Sequence, residues 1–426
     1  MKCWRSVAEF VPLRAWLCEP PSAAQRAPDQ QPDPPVIPLI SEEQAPFVDD
    51  FEGRIRRFSA LLDDAYAYLR ASGVLETQLR EGEAVLGPSL LGRALSANGE
   101  PLDRRAAPQG PRARIDMPAP LPSARRAIDT PLWTGVRCID GLLTIGRGAR
   151  VGFFGAPGSG KSTLLETIVR GARTDAVVVG LVGERGREAQ RWIGSCDERT
   201  TVICATSDRP ARERVAAAEI AMAHASALAA HGLHVLVLLD SLARYAQALR
   251  EVAMRDGESV GRGGFPPSVF ARIAQLVERA GAFANGSITM FVTVLNDGDD
   301  RDPVSECARS LLDGHVQLSP RLAQAGHFPA VDLPASSSRT MDAVASAEHL
   351  RAAAAIRAAL ASLAASADAR SLGIDATDPP TVAAVAAEGA LERFLRQGKE
   401  PSPPERALEA LEQTADMLGE AYGYHL

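Results

Sequence analysis

The segment GAPGSGKS, Gly155 to Ser162, constrains this chain more than any other stretch. It satisfies G-x-x-x-x-G-K-[ST], follows the apolar run VGFF and opens the run STLLETIVRGA. A loop of this kind needs a strand to enter it and a helix to leave it. Its glycines let the backbone turn so that successive N–H groups point inward around a phosphate, and the helix N-terminus adds partial positive charge. Gly155, Ala156, Pro157, Gly158, Ser159, Gly160, Lys161, Ser162 and Thr163 therefore form the expected phosphate cradle for ATP. Lys161 would reach the β- and γ-phosphates, and the Ser162 hydroxyl would ligate Mg²⁺.

The surrounding pattern fits such a loop. From Val151 onward, apolar runs of strand length alternate with longer helical stretches. AVVVGLV (176–182), TVICAT (201–206), HVLVLLD (234–240) and ITMFVTVL (288–295) read as strands, and 161–173, 211–231 and 268–284 as helices. Near-continuous apolar strands joined by helices predict an α/β fold with a mostly parallel sheet. After Met341 the chain turns alanine-rich and helical, which predicts a small C-terminal helical domain. The expected division is 1–85, 86–341 and 342–426.

Two strand ends carry carboxylates. HVLVLLD ends in Asp240, and a carboxylate at the tip of a buried strand beside a P-loop can hold Mg²⁺ through water. Many strands also end in Asp only to cap a turn. GERGRE, Gly183 to Glu188, follows AVVVGLV, so Glu184 is placed to face the γ-phosphate and orient an attacking water. A solvated charge at a strand end is the plainer reading of that residue taken alone.

Composition narrows the partners. The 426 residues suffice for two or three domains, and 46% hydrophobic with 23% charged residues is ordinary globular usage. A net charge of -7 argues against a general nucleic-acid binder. Cys3, Cys18, Cys138, Cys196, Cys204 and Cys307 show no C-x-x-C spacing and read as reduced thiols of a cytoplasmic protein. No apolar run approaches the roughly 18 residues that would span a bilayer, so any membrane association is expected to be peripheral. Residues 19–38 are rich in Pro, Gln and Asp and read as a linker. Ile55, Phe58, Leu61, Leu62, Ala65, Tyr68 and Leu69 recur at helical spacing, on a helix that either packs or docks a partner.

These pieces together resemble the type III secretion and flagellar export ATPases, relatives of the catalytic subunit of rotary ATP synthase. The resemblance runs from about Leu90 to Met341. LLGRALSANGEPLD (90–103) is similar to the entry segment of that family, and PLWTGVRCIDGLLTIGRGARVG (131–152) to its approach to the P-loop. GFPPSVFARIAQLVERAG (264–281), LLDGHVQLS (311–319) and AGHFPAVD (325–332) discriminate most, and PPSVF and LVERAG belong to its export branch.

The resemblance implies a RecA-like P-loop NTPase core and assigns roles residue by residue. Glu184 becomes the water-activating carboxylate and Arg185 a phosphate or inter-subunit contact. Asp240 is the magnesium partner, and Arg244 lies near the γ-phosphate. Phe328 stands where the family usually has a Tyr against the adenine; it keeps the stacking ring without the hydroxyl. Arg339, in SSSRTM, matches an arginine finger that enters the neighbouring subunit's site. LERFLRQ (391–397) resembles the family's C-terminal helical motif. Residues 1–85 depart from the family's N-terminal β-barrel, the acidic loop 296–306 is slightly short, and 373–378 lacks an aromatic residue common there.

The implied activity is Mg²⁺-dependent ATP hydrolysis that energises type III protein secretion: releasing chaperones from secreted substrates and unfolding them at the inner face of the bacterial inner membrane. Implied partners are a homo-hexamer, a stator-type regulator, a coiled-coil stalk protein, the membrane export gate and chaperone–substrate complexes. A flagellar export ATPase is an alternative, and so is a non-catalytic nucleotide-binding ring subunit, against which Glu184 and Arg339 argue together. An RNA-translocating hexamer is disfavoured by the acidic balance and the lack of a basic–aromatic platform.

Overall fold

The computed structural model describes residues 82–295 and 302–422; the expected linker and the helix across 55–69 lie outside the described residues. The described residues fall into two units. Residues 82–89 and 109–114 belong to one, in which Glu83–Val85 pairs antiparallel with Arg112–Arg114. The other holds 90–108 and everything from Ile115 onward.

A nine-stranded sheet organises this second unit. Its strands are β1 (Ala94–Ser96), β2 (Arg150–Gly155), β3 (Ala176–Glu184), β4 (Thr200–Thr206), β5 (His234–Asp240), β6 (Gly281–Ala282), β7 (Ser287–Leu295), β8 (Gly314–Leu318) and β9 (Val331–Ser338). Across the sheet they run β9-β8-β2-β7-β5-β3-β4-β1, with β6 paired to β7 off that path. From β8 to β1 every neighbour is parallel, and β9 closes one edge antiparallel. The composition of the strands explains this burial. All nine residues of β3 and all seven of β5 are buried, as strands rich in Val and Leu must be when helices cover both faces. Phe153 of β2 and Phe291 of β7 pack ring to ring at 5.1 Å, locking two neighbours at the centre of the sheet.

Helices α1 (Arg137–Leu142), α2 (Lys161–Gly171), α3 (Gly186–Gly194), α4 (Ala211–Ala230), α5 (Leu242–Arg255), α6 (Pro267–Val277), α7 (Pro303–Leu311) and α8 (Pro320–Gln324) connect these strands. The expected strands appear with ends moved by a residue or two. The helix expected over 268–284 stops at Val277, and the chain turns into β6. The carbonyls freed there have a partner elsewhere in the chain: the Arg125 guanidinium donates to the oxygens of Glu278 and Ala280, the latter at 2.8 Å.

Beyond β9, α9 (Met341–Val344), α10 (Ala347–Ser371), α11 (Pro379–Ala386), α12 (Glu388–Leu395) and α13 (Pro404–Tyr422) form the expected helical region. Among the described residues α10 alone is long and apolar enough to cross a membrane by length and composition. Alanine supplies the apolarity, while Arg351 and Arg357 interrupt it. Ala352, Ala353, Ile356 and Ala359 are buried where α10 meets α13, α11 and α1, so the helix reads as part of a bundle.

Candidate active site

The carboxyl ends of β2, β3 and β5 lie along one edge of the parallel sheet, the side on which open sheets of this kind take their ligands. β2 delivers the chain into the loop 155–160. Gly158 and Gly160 both hold φ near +80°, a backbone setting glycine adopts without strain. Gly160 caps α2, so the first free N–H groups of that helix open into the loop. Inside the curl the Ser159 hydroxyl is buried without a hydrogen-bond partner. An inward-facing loop with an unsatisfied buried donor fits an anion of phosphate size. Ser162 is half-buried and Thr163 exposed on the first turn of α2.

Lys161 projects toward the end of β5, with its Nζ 3.9 Å from Oδ1 of Asp240. Burial pulls the Lys161 amine below its ordinary range; Asp240 and Glu188 oppose this, and Arg244 adds to it. Asp240 itself is buried, and its Oδ1 accepts a 2.6 Å bond from the Thr293 hydroxyl of β7. Ser162 and Asp240 together offer oxygen ligands, the type that hard Mg²⁺ prefers. Among the described residues no group of three acidic, His or Cys side chains gathers as a metal cage.

Glu184 ends β3. The β3–β4 register slips between Val182 and Glu184, a bulge that re-aims the final side chain. Gly183 makes that turn with φ +67°, and a Cβ there would stand 3.2 Å from Cδ of Arg244. Buried Glu184 is thereby presented to two donors. Oε1 is ion-paired with Arg244 Nη1, and Oε2 accepts from the Arg185 N–H at 3.3 Å. Arg244 sits on the first turn of α5, whose N-cap Ser241 accepts its backbone N–H at 3.3 Å. Arg185 is the N-cap of α3, with an exposed side chain.

Phe328 stands on the other side of the loop, 46% exposed, its Cε1 3.1 Å from where a Cβ on Gly160 would lie. Arg339 alone of the expected residues is not brought in. Ser338 pairs with Gly314, which pairs with Val151, so Arg339 leaves the sheet at the opposite end of β2 from Gly155. Four residues of strand separate those levels by roughly 13 Å. Its side chain is exposed, with His315 among its neighbours.

Two residues near this cluster escaped the sequence reading. Thr293 is a hydroxyl near the carboxyl end of a largely apolar run, and that position is the signal that could have flagged it. Glu188 lies in the same GERGRE segment as Glu184 and acts electrostatically on Lys161.

A parallel sheet with a phosphate-shaped loop after β2 and carboxylates ending β3 and β5 defines a P-loop nucleotide-binding core of the RecA-like class. The ATP synthase alpha/beta family, nucleotide-binding domain, matches residues 135–338. A type 3 secretion system ATPase of Sinorhizobium fredii is 46% identical over 330 residues, covering 75% of this chain and 73% of that protein. A flagellum-specific ATP synthase of Pseudomonas aeruginosa is 44% identical over 335 residues, covering 75% and 74%. Among solved structures, the assembled ATPase EscN from the type III secretion system of enteropathogenic E. coli superposes with a TM-score of 0.76 at 39% identity, over 79% of this chain and 84% of that one. EscN in complex with its central stalk EscO gives 0.74 over the same shares. The chain belongs to the ATP synthase alpha/beta family, within the group of type 3 secretion and flagellum-specific ATPases.

Proposed function

We propose that this protein hydrolyses ATP to energise type III protein secretion from the cytoplasmic face of the inner membrane. The observation that supports the reading is buried Glu184, which ends β3 on the same edge of the parallel sheet as Asp240 and is ion-paired with Arg244. A subunit that only held nucleotide would need Lys161 and the loop but not this carboxylate.

The roles follow from position. The N–H groups of 155–160 and the Lys161 ammonium bind and orient the phosphates. Ser162 and Asp240 would hold Mg²⁺, which would supply neutralising charge beside the phosphates. Glu184 positions the attacking water at the γ-phosphate and takes up its proton. Arg244 leaves Glu184 for the γ-phosphate as nucleotide enters, freeing the carboxylate. Arg185 contacts phosphate or the adjacent subunit. Phe328 stacks on the adenine. Arg339, where the chain leaves the sheet at the far end from its own loop, serves a neighbour's site, which makes hydrolysis depend on a ring, read as a homo-hexamer.

The partners that accompany this reading are a stator-type regulator, a coiled-coil stalk protein, the membrane export gate and chaperone–substrate complexes, with the protein peripheral to the membrane. The division into an N-terminal region to residue 85, an ATPase domain to 341 and a helical domain thereafter belongs to the same proposal. The 44% identity to a flagellum-specific relative favours the flagellar system as the second reading. Rod and hook genes beside this one would select it, and needle genes the first.

Subunit mixing tests the shared site. Arg339→Ala subunits keep their own loop, and Lys161→Ala subunits keep their finger. Neither alone should turn over, and mixed rings should recover activity at some interfaces, since an arginine finger contributes about 10³–10⁵ in rate. No recovery in demonstrated mixed oligomers would refute the trans assignment.

A further inference from the structure

Phe328 has little to hold it. Its ring is 46% exposed, and the loop 325–329 between α8 and β9 is largely exposed. A stacking platform works only if its plane is held in place before the base arrives, so the backbone at Phe328 must be fixed by something outside the loop. The residues before it are tied to α8, with the Gly326 and His327 N–H groups donating to the Ala323 and Leu322 carbonyls at 3.0 and 2.9 Å, while the Phe328 carbonyl is held from outside the loop. The Gln397 N–H donates to the Phe328 carbonyl at 2.9 Å. The side chain of the same residue, which is half-buried, reaches the segment 135–137. Its Oε1 accepts from the Arg137 N–H at 2.9 Å, and its Nε2 donates to the Gly135 carbonyl at 2.8 Å and to the Glu400 carbonyl at 2.9 Å.

The anchor at the far end is rigid. Val136, Cys138, Ile139 and Leu142 are buried, and the buried Asp140 carboxylate accepts from the N–H groups of Thr134 and Gly135 at 2.8 and 2.9 Å. Arg137 reinforces the connection: its guanidinium donates to the carbonyls of Arg393, Phe394 and Arg396, the first two at 2.9 and 3.2 Å. The segment that carries Gln397 also touches the helix behind the phosphate loop. The Lys399 carbonyl accepts from Thr167 Oγ1 at 3.2 Å, and Pro401 packs on Gly171.

We propose that Gln397 is the positioning residue for the base platform. It fixes Phe328 against the core segment 135–137 and so sets affinity for the nucleoside part of ATP without acting on phosphate chemistry. This rests on the reading of Phe328 as the adenine platform.

The test compares a ligand that has a base with one that lacks it. In the full-length assembled protein, Gln397→Ala should raise the KM for ATP about tenfold and leave kcat nearly unchanged. Competitive inhibition by inorganic tripolyphosphate, which fills the cradle but has no base, should stay at the parent value. Gln397→Glu keeps the acceptor for Arg137 but sets an anionic oxygen against the Gly135 and Glu400 carbonyls, so its KM should rise at least as far as that of the alanine variant; Gln397→Met, which keeps the volume and loses all three side-chain bonds, carries the same comparison if the alanine variant does not fold. Equal weakening of ATP and tripolyphosphate would overturn the proposal, because a general structural role predicts that. A raised KM for Phe328→Ala without one for Gln397→Ala would overturn the proposal alone. An unchanged KM for Phe328→Ala would remove the platform reading and this proposal with it.

Discussion

Replacing Glu184 by Gln separates catalysis from binding, and the structure predicts the size of each effect. The carboxylate faces two donors, the Arg244 guanidinium and the Arg185 N–H. Glutamine keeps the shape but has one acceptor oxygen and an NH₂ that can only donate. One donor therefore loses its partner. A fully buried donor left unpaired costs about 1–3 kcal/mol, but the Arg244 side chain is 26% exposed and water can reach it, so the low end applies, about 1 kcal/mol. The fold should tolerate this, with a melting temperature a few degrees lower at most. Turnover should suffer far more. Removing water activation lowers the rate by about 10²–10⁴, or about 2.7–5.4 kcal/mol of barrier. Nucleotide affinity should hold or tighten, because the variant no longer neutralises Arg244 and leaves its charge for the γ-phosphate. The assay is a fluorescent-nucleotide titration beside steady-state phosphate release and a thermal melt on the same sample. Hydrolysis at the parent rate with normal binding would refute the role of Glu184. Lost binding would mean that its pairing with Arg244 builds the site rather than waits in it.

Other outcomes follow from the same geometry. Lys161→Ala should weaken ATP binding at least tenfold, read by the same titration, because the amine beside Asp240 is the charge nearest the cradle. Thr293→Val should keep the strand and lower activity by mis-setting Asp240, with the magnesium concentration for half-maximal rate shifted upward. His224 is buried, and burial pulls its pKa down from 6.5 to about 3. Below pH 6.5 the unfolded chain gains a proton that the native chain does not, so stability falls as pH drops from about 6.5 toward 3. His224→Gln should flatten that part of the melting-temperature profile. A chain that begins at Gly82 keeps the ribbon between Glu83–Val85 and Arg112–Arg114 and should still fold and bind ATP; an insoluble product would refute the expectation that the nucleotide fold does without residues 1–81.

The amino-acid sequence alone determined whatever depends on neighbours along the chain. The cradle was legible because its glycines, lysine and serine act through local backbone geometry within one loop. Asp240 and Glu184 were legible as strand ends because an apolar run shows where it stops. The bulge that aims Glu184 was not legible, since it is a slip against β4, a strand some twenty residues away. The tertiary structure alone decided which strand ends stand near one another along the sheet edge. β2 and β5 are separated by β7, which comes later in the chain than either, and only that insertion brings Thr293 to Asp240. It also decided that Arg244 reaches back to Glu184, and that Arg339, twenty-one residues beyond Leu318, leaves the sheet at the far end from its own loop. Gln397 is the extreme case: its partners lie at 135, 137 and 328, and no periodicity or motif spacing encodes a hydrogen bond that depends on how the last helices settle on the core. Such contacts follow from packing the whole chain, so they become visible only after the chain has folded.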